Sequence, residues 1–297
     1  MGHFPQNEVN YTKQPLSNFQ PHFGKSPKQP QDEMKYGVAY KKKCVSLING
    51  KISSYWKHAL ISRTPKKDFN EDDLSTLRDI SLLPTLYKIF SKVLCQRIIP
   101  YISNKIAFWQ RAYLQTRDRQ ELIYCLKTAI DDFKRISAKF YIVFIDFADA
   151  FGSVIHNYIF ESLDEFGIPY PYLRIIEDIY KFSSFQVICK EGLSQKFYIV
   201  RGTKTGDALS GLIFLAVIDR VCKPMVTTSL INSNIRDEQR INPIPVLCYA
   251  DDLVLSTYNE NLLNQTTLAA NTGMVNSGLR IKTRKCAVFY ERRSGNN

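Results

Sequence analysis

One eleven-residue stretch constrains this chain more than any other. Val246-Leu-Cys-Tyr-Ala-Asp-Asp-Leu-Val-Leu-Ser256 consists of two short apolar runs either side of two adjacent carboxylates. Apolar, partly β-branched runs of this length read as buried strands, and the tight connection makes them a hairpin. A hairpin turn ordinarily takes Asn-Gly or Asp-Gly, and two neighbouring like charges repel. The pair Asp251-Asp252 therefore asks for a cation, and hard oxygen ligands on a strand framework suit Mg²⁺. A third carboxylate, Asp146, ends the apolar run that begins at Lys139, 105 residues before Asp251. If those strands are neighbours, three carboxylates converge. Two metal ions need that arrangement for in-line phosphoryl transfer, one activating an attacking 3′-hydroxyl and the other stabilising the leaving pyrophosphate. The plainer alternative is an ordinary acidic turn, with Asp146 capping the segment after it.

The rest of the chain alternates helical and strand patterns. Residues 1–43 mix Pro, Gln, Asn and Lys without a period and read as a flexible basic arm. Apolar residues at spacings of three and four predict helices over Ile80 to Tyr101 and Arg119 to Ile136. A further helix runs from His156 to Phe166, stopped by Gly167 and Pro169, and another from Tyr172 to Tyr180. Phe185 to Cys189 and Lys196 to Arg201 read as a strand pair. Ala208 to Val221 is almost wholly apolar, as a buried helix would be. A helix from Asn261 to Asn276 precedes a last strand-like run, Leu279 to Tyr290. The order predicts an α+β architecture with a small sheet backed by helices.

Composition narrows the function classes. With 297 residues, 44% hydrophobic and 23% charged, the chain makes one large domain or two modest ones, and wholesale disorder is excluded. Seven cysteines form no C-x-x-C pair and no Cys/His cluster at zinc spacing, which argues against a disulfide scaffold and for a reducing compartment. No apolar run is long enough to span a membrane and no apolar signal core opens the chain, so the expectation is an intracellular protein with no membrane partner. The formal charge is +12, and residues 1–70 carry twelve Lys or Arg against four acids. Such an excess fits a polyanionic partner or a solubilising tail.

Tyr249-Ala-Asp-Asp252 between apolar strands resembles the YADD box of reverse transcriptases, in the form found in non-LTR, LINE-type retrotransposons. Five further segments resemble that family in the same order. They are Trp56-Lys57 with Pro65-Lys-Lys67, Arg78-Asp-Ile-Ser-Leu-Leu83, Ile145-Asp-Phe-Ala-Asp-Ala-Phe-Gly-Ser-Val-Ile-His156, Gly202-Thr-Lys-Thr-Gly-Asp-Ala-Leu-Ser210 and Gly278-Leu-Arg-Ile-Lys-Thr-Arg-Lys285. The resemblance implies a right-hand polymerase fold with fingers and a ferredoxin-like palm sheet backed by helices. The expected division is 44–138 fingers, 139–170 first palm part, 171–205 a fingers/palm strand pair and loop, and 206–297 second palm part, with the thumb largely absent.

It also implies RNA-directed DNA polymerase activity on dNTPs, with an RNA template, a DNA primer, two Mg²⁺ ions or Mn²⁺ in their place, and a nuclear setting. Asp146, Asp251 and Asp252, with the Phe147 backbone, would hold the metals, and Lys285 would serve as general acid. Lys66, Lys67 and Arg78 would meet the triphosphate. Phe151, five residues after Asp146, would be the steric gate against a ribose 2′-hydroxyl, and Gly202, Thr205 and Gly206 would line the nucleotide. Gln110, Arg111, Tyr113, Arg117 and Tyr249 would contact template or primer, cations taking phosphates and aromatics stacking on bases. The chain departs from the family at Thr205, where Gln is usual, and at Asp79, Ala112 and Ala208. The alternative is a truncated, inactive remnant that only binds nucleic acid.

Overall fold

The computed structural model describes residues 50–67, 69–70, 73–114, 119–135, 140–232, 246–257 and 260–291. The arm expected over 1–43 and Arg117 lie outside the described residues. The described chain begins with strands β1 (His58–Pro65) and β2 (Leu77–Leu82), then helices α1 (Thr85–Ser103) and α2 (Arg119–Arg135). Strand β3 (Phe140–Ile145) leads into a single turn α3 (Ala150–Ser153), then α4 (His156–Glu165) and α5 (Tyr170–Tyr180). Three short strands, β4 (Ser184–Cys189), β5 (Gly192–Leu193) and β6 (Phe197–Tyr198), precede the long helix α6 (Ala208–Asn232). Last come the hairpin strands β7 (Val246–Tyr249) and β8 (Asp252–Thr257), helix α7 (Glu260–Ser277) and β9 (Ala287–Glu291).

Four strands form an antiparallel sheet in the order β7-β8-β3-β9. With helices between β3 and the hairpin, and α7 between the hairpin and β9, this is a ferredoxin-like split β-α-β arrangement. Alternation along β3 sorts its side chains. Phe140 and Ile142 pack on Leu126, Ala129 and Ile130 of α2, whereas Ile145 joins Leu253 and Leu255 in the main core. Helix α6 runs through that core, with Leu209 and every residue from Leu212 to Ile218 buried. A helix apolar all round can lie only where all its faces are covered. A second sheet takes the order β2-β1-β4, with β1 and β4 parallel, and both β5 and β6 pair with the outer edge of β4.

Three local expectations are corrected. The helix expected from Ile80 starts at Thr85, because Leu77–Leu82 pairs with β1 and the Ser81 N–H donates to the Thr205 carbonyl at 3.0 Å. A short apolar run cannot announce by its spacing whether it is strand or helix, and here tertiary pairing decides. Helix α6 does not stop at Val221 but continues through Pro224 to Asn232. Of the run Leu279 to Tyr290, only the part from Ala287 is strand; Thr283–Lys285 is a 3-10 turn. The six described cysteines are free thiols, with the Cys222 and Cys248 sulfurs 3.5 Å apart. No helix among the described residues is long and apolar enough to cross a membrane.

Candidate active site

The sheet register brings the three acidic residues together. Ile145 pairs with Leu253, so one further step sets Asp146 beside Asp252. Tyr249 pairs with Asp252, leaving Ala250 and Asp251 as a two-residue turn. Ala250 holds φ +57°, a conformation that the primed hairpin turns require and that Gly or Asn usually supplies. Burial pushes the Asp251 carboxyl above its ordinary value and its own backbone N–H pulls it back. The Asp252 and Asp146 carboxylates then push it up, while Arg78 of β2 pulls it down. A carboxylate opposed by two others is stabilised by a cation between them. Among the described residues no group of three or more His, Cys, Asp or Glu is closed around one point. Mg²⁺ takes one or two protein carboxylates when substrate phosphates complete its shell, so this donor set fits a divalent ion.

Backbone bonds fix the loop after Asp146. The Asp146 carbonyl accepts from Lys282 N–H at 2.8 Å, the Ala148 N–H donates to the Arg280 carbonyl at 2.8 Å, and buried Phe147 bridges to Ile281. The segment Gly278–Lys282 thus backs the Asp146 side of the site. Asp149, at φ +48°, turns the chain into α3, which presents Phe151. The Phe151 ring stacks on Phe214 of α6 at 4.5 Å, and its carbonyl accepts from Thr203 N–H at 2.7 Å. The Gly202 N–H donates to the Val154 carbonyl at 2.6 Å, and its own carbonyl lies 3.0 Å from His156 Nε2. Gly202 is obligatory there: at φ +82°, a Cβ would stand 2.5 Å from the Gly152 carbonyl oxygen.

The segment expected to touch template flanks the β7–β8 hairpin. Cys248 N–H donates to the Trp109 carbonyl at 2.8 Å, and Arg111 N–H to the Cys248 carbonyl at 3.1 Å, so the segment runs beside β7 as a short parallel bridge. Gln110 is buried, and its side-chain carbonyl accepts from Ala112 N–H at 2.9 Å and Ala250 N–H at 3.4 Å. Its side-chain carbonyl thus serves the turn rather than an outer surface. Arg111 pairs with Glu121 at 3.0 Å, and the Arg119 guanidinium lies 4.9 Å over the Tyr249 ring. Tyr113 stands within the electrostatic reach of Asp251 and Tyr249.

The remaining expected residues lie on and beside β1 and β2 and on the turn before β9. Lys66 and Lys67 are exposed just beyond β1, and Lys285 is exposed on its 3-10 turn. Arg78 pairs with Thr64 on the exposed part of β2. Thr205 is half-buried beside Ser81, and Gly206 takes φ +93°.

Sequence reasoning missed Lys204, which is fully buried against Trp56 and Tyr87. Its ammonium donates to the Trp56 carbonyl at 3.3 Å and lies 4.9 Å over the Tyr87 ring, while the Tyr87 hydroxyl donates to Asp207 at 2.7 Å. Burial lowers the Lys204 amine to about 8, Asp207 opposing the shift and Lys57 adding to it. No local pattern distinguishes this lysine from an exposed one.

Comparison with known proteins agrees with this geometry. A family model described as reverse transcriptase (RNA-dependent DNA polymerase) matches residues 64–296. The chain is 29% identical over 224 residues to a Retrovirus-related Pol polyprotein from type-1 retrotransposable element R2 of Popillia japonica, covering 75% of this chain and 30% of the relative. The corresponding polyprotein of Nasonia vitripennis is 26% identical over 216 residues, covering 72% and 20%. The chain therefore spans under a third of these relatives' length. Telomerase of Candida tropicalis in complex with a fragment of telomeric RNA superposes with a TM-score of 0.57 at 13% identity, over 88% of this chain and 45% of that one. The same telomerase truncated from its C-terminal domain gives 0.60 at 12%, over 89% and 56%. At such identity the likeness speaks for fold alone: an α+β polymerase fold of fingers and palm. The matched stretch contains Asp146 just past the end of β3, Asp251 in the hairpin turn and Asp252 at the start of the adjoining β8, and the chain belongs to the reverse transcriptase family, in the form carried by LINE-type retrotransposons.

Proposed function

We propose that the chain is an RNA-directed DNA polymerase, adding deoxynucleotides to a primer 3′-hydroxyl opposite an RNA template. The observation that carries this reading is the convergence of Asp146, at the end of β3, and Asp252, at the start of neighbouring β8, beside Asp251, whose ionisation the other two oppose. Reverse transcriptases work with divalent metal ions. Asp146 and Asp251, assisted by Asp252 and the Phe147 carbonyl, would hold two Mg²⁺ ions, or Mn²⁺ in their place. When bound, the ions supply charge that activates the 3′-hydroxyl and stabilises the pyrophosphate. The chain's own residues bind and orient. Arg78, with Lys66 and Lys67, takes the triphosphate, the Arg fork suiting two phosphate oxygens. Phe151 excludes a 2′-hydroxyl, and Gly202, Thr205 and Gly206 let the nucleotide approach the backbone. Tyr249, Tyr113 and Arg111 face primer or template, Gln110 acts through the turn it holds, and Lys285 delivers a proton to the leaving group.

The test is primer extension on an RNA template with an annealed DNA primer, with and without Mg²⁺, beside Asp251→Asn. Extension that requires the metal, prefers dNTPs and disappears in the variant is the expected result. Absence of extension, with both proteins binding the hybrid at the same salt dependence, would make the chain a nucleic-acid binder only.

A further inference from the structure

We propose that Tyr113 sets the sugar preference of the site by bracing the Phe151 ring. This deepens the polymerase reading and rests on it. Phe151 touches two aromatic rings at different angles. It stacks on Phe214 with centroids 4.5 Å apart and planes at 29°, and it meets Tyr113 edge-on at 6.4 Å and 89°. Phe214 is fully buried in α6, Phe151 is half-buried, and Tyr113 is 50% exposed. The three rings form a column from core to surface, with the gate in the middle. A stacked partner alone holds a ring from one face only; a second ring set at right angles to it restricts the ring further.

Two otherwise unfavourable features converge on seating Tyr113. Its backbone holds φ +59°, which costs an L-residue about 1 kcal/mol or more. Gly211 lies in the first turns of a helix whose other faces are apolar, where Gly is about 1 kcal/mol worse than Ala. A Cβ on Gly211 would stand 2.8 Å from Cδ1 and 2.9 Å from Cε1 of Tyr113, so the missing side chain is the space the ring fills. The same ring lies near the catalytic turn: burial first, then the Asp251 charge, raises its phenol. The bridge between Trp109–Arg111 and β7 fixes the chain immediately before it. A gate rejects a ribose only while its ring cannot yield, and Tyr113 is the second ring against which Phe151 would have to move.

The test compares kcat/KM for a dNTP and the matching rNTP in wild type, Tyr113→Ala, Tyr113→Phe and Gly211→Ala. Because selectivity is a ratio within one preparation, a loss of folded protein cancels. Expected is a loss of deoxynucleotide selectivity of about three- to tenfold in Tyr113→Ala and Gly211→Ala, and none in Tyr113→Phe, which keeps the ring. Unchanged selectivity in Tyr113→Ala, or an equal loss in Tyr113→Phe, overturns the proposal. A second measurement needs no turnover: fluorine NMR of fluorophenylalanine-labelled protein, with the Phe151 signal assigned by Phe151→Leu. Removal of the brace should narrow and shift that signal in Tyr113→Ala. If the wild type extends no primer, the polymerase reading fails, and an unchanged Phe151 signal separately refutes the brace.

Discussion

Gly202 and Gly206 flank the same loop, and replacing each by Ala separates two costs that usually travel together. Both hold positive φ, +82° and +93°, so each substitution carries about 1–2 kcal/mol of backbone strain. Only at Gly202 does the new methyl clash with backbone. It would stand 2.5 Å from the Gly152 oxygen and 2.7 Å from Gly152 Cα, whereas at Gly206 the nearest atom is the Ser81 oxygen at 3.7 Å. Reaching an ordinary carbon–oxygen separation of about 3.3 Å requires the two segments to part by about 0.8 Å. That movement strains the bonds from Gly202 to Val154 and from Thr203 to Phe151, at about 1 kcal/mol each. Gly202→Ala should therefore cost about 3–4 kcal/mol and Gly206→Ala about 1–2 kcal/mol. In thermal denaturation the melting temperature should fall by roughly 10 °C in the first and roughly 4 °C in the second. Because α3 carries Phe151, the first variant should also lose dNTP selectivity at a temperature where it remains folded. Equal losses of stability would show that the loop does not lie against α3, and would refute the reasoning.

Three further outcomes follow from the buried groups. Asp251→Asn should abolish primer extension yet stabilise the fold at neutral pH, since a carboxyl whose folded value is raised favours folding at low pH and ceases to as pH climbs through that value; chemical denaturation at pH 3 and 7 should show the gain at pH 7 only. Lys204, lowered to about 8, binds its proton more weakly in the folded chain than in the unfolded one, so stability should rise by about 2 kcal/mol between pH 7.5 and 9.5 and the rise should vanish in Lys204→Met. The check is the urea midpoint at both pH values, and identical pH slopes in the two proteins would count against a buried amine. Gln110→Ala strips an acceptor from two buried N–H groups and should cost about 2–3 kcal/mol in urea unfolding, without altering the salt dependence of nucleic-acid binding. A changed salt slope with unchanged stability would instead make Gln110 a surface contact.

How much of this was legible in the sequence depends on the distance over which each feature is decided. The hairpin Val246 to Ser256 and the run before Asp146 are local: apolar residues of strand length, each meeting a carboxylate where the sheet ends. Their adjacency is not local, and only the register of Ile145 with Leu253 supplies it. The start of α1 was misread because Ile80 and Leu82 continue the helical spacing of the residues after Pro84, while pairing with β1 governs their backbone. Gln110 reads as an outward polar residue next to Arg111, since nothing nearby announces that the Ala250 N–H, 140 residues later in the chain, will claim its side chain. Lys204 is the same case with a charge, its partner being the Trp56 carbonyl 148 residues away. Nothing in the apolar run around Gly211 announces the Tyr113 ring that fills the space of its missing side chain.

The central position of β3 also governs how the protein is made. Its sequence, Phe-Tyr-Ile-Val-Phe-Ile, is aromatic and β-branched without a charge, and its partners are Asp252–Thr257 and Ala287–Glu291. On a ribosome adding about 5–20 residues per second, about 5–20 seconds pass before the first of those partners is even synthesised. During that interval both edges of the strand are open to any other extended chain, which is the composition and exposure that seed aggregation. Production of soluble protein should therefore depend on slow initiation, low temperature and holdase chaperones more than on the stability of the finished fold.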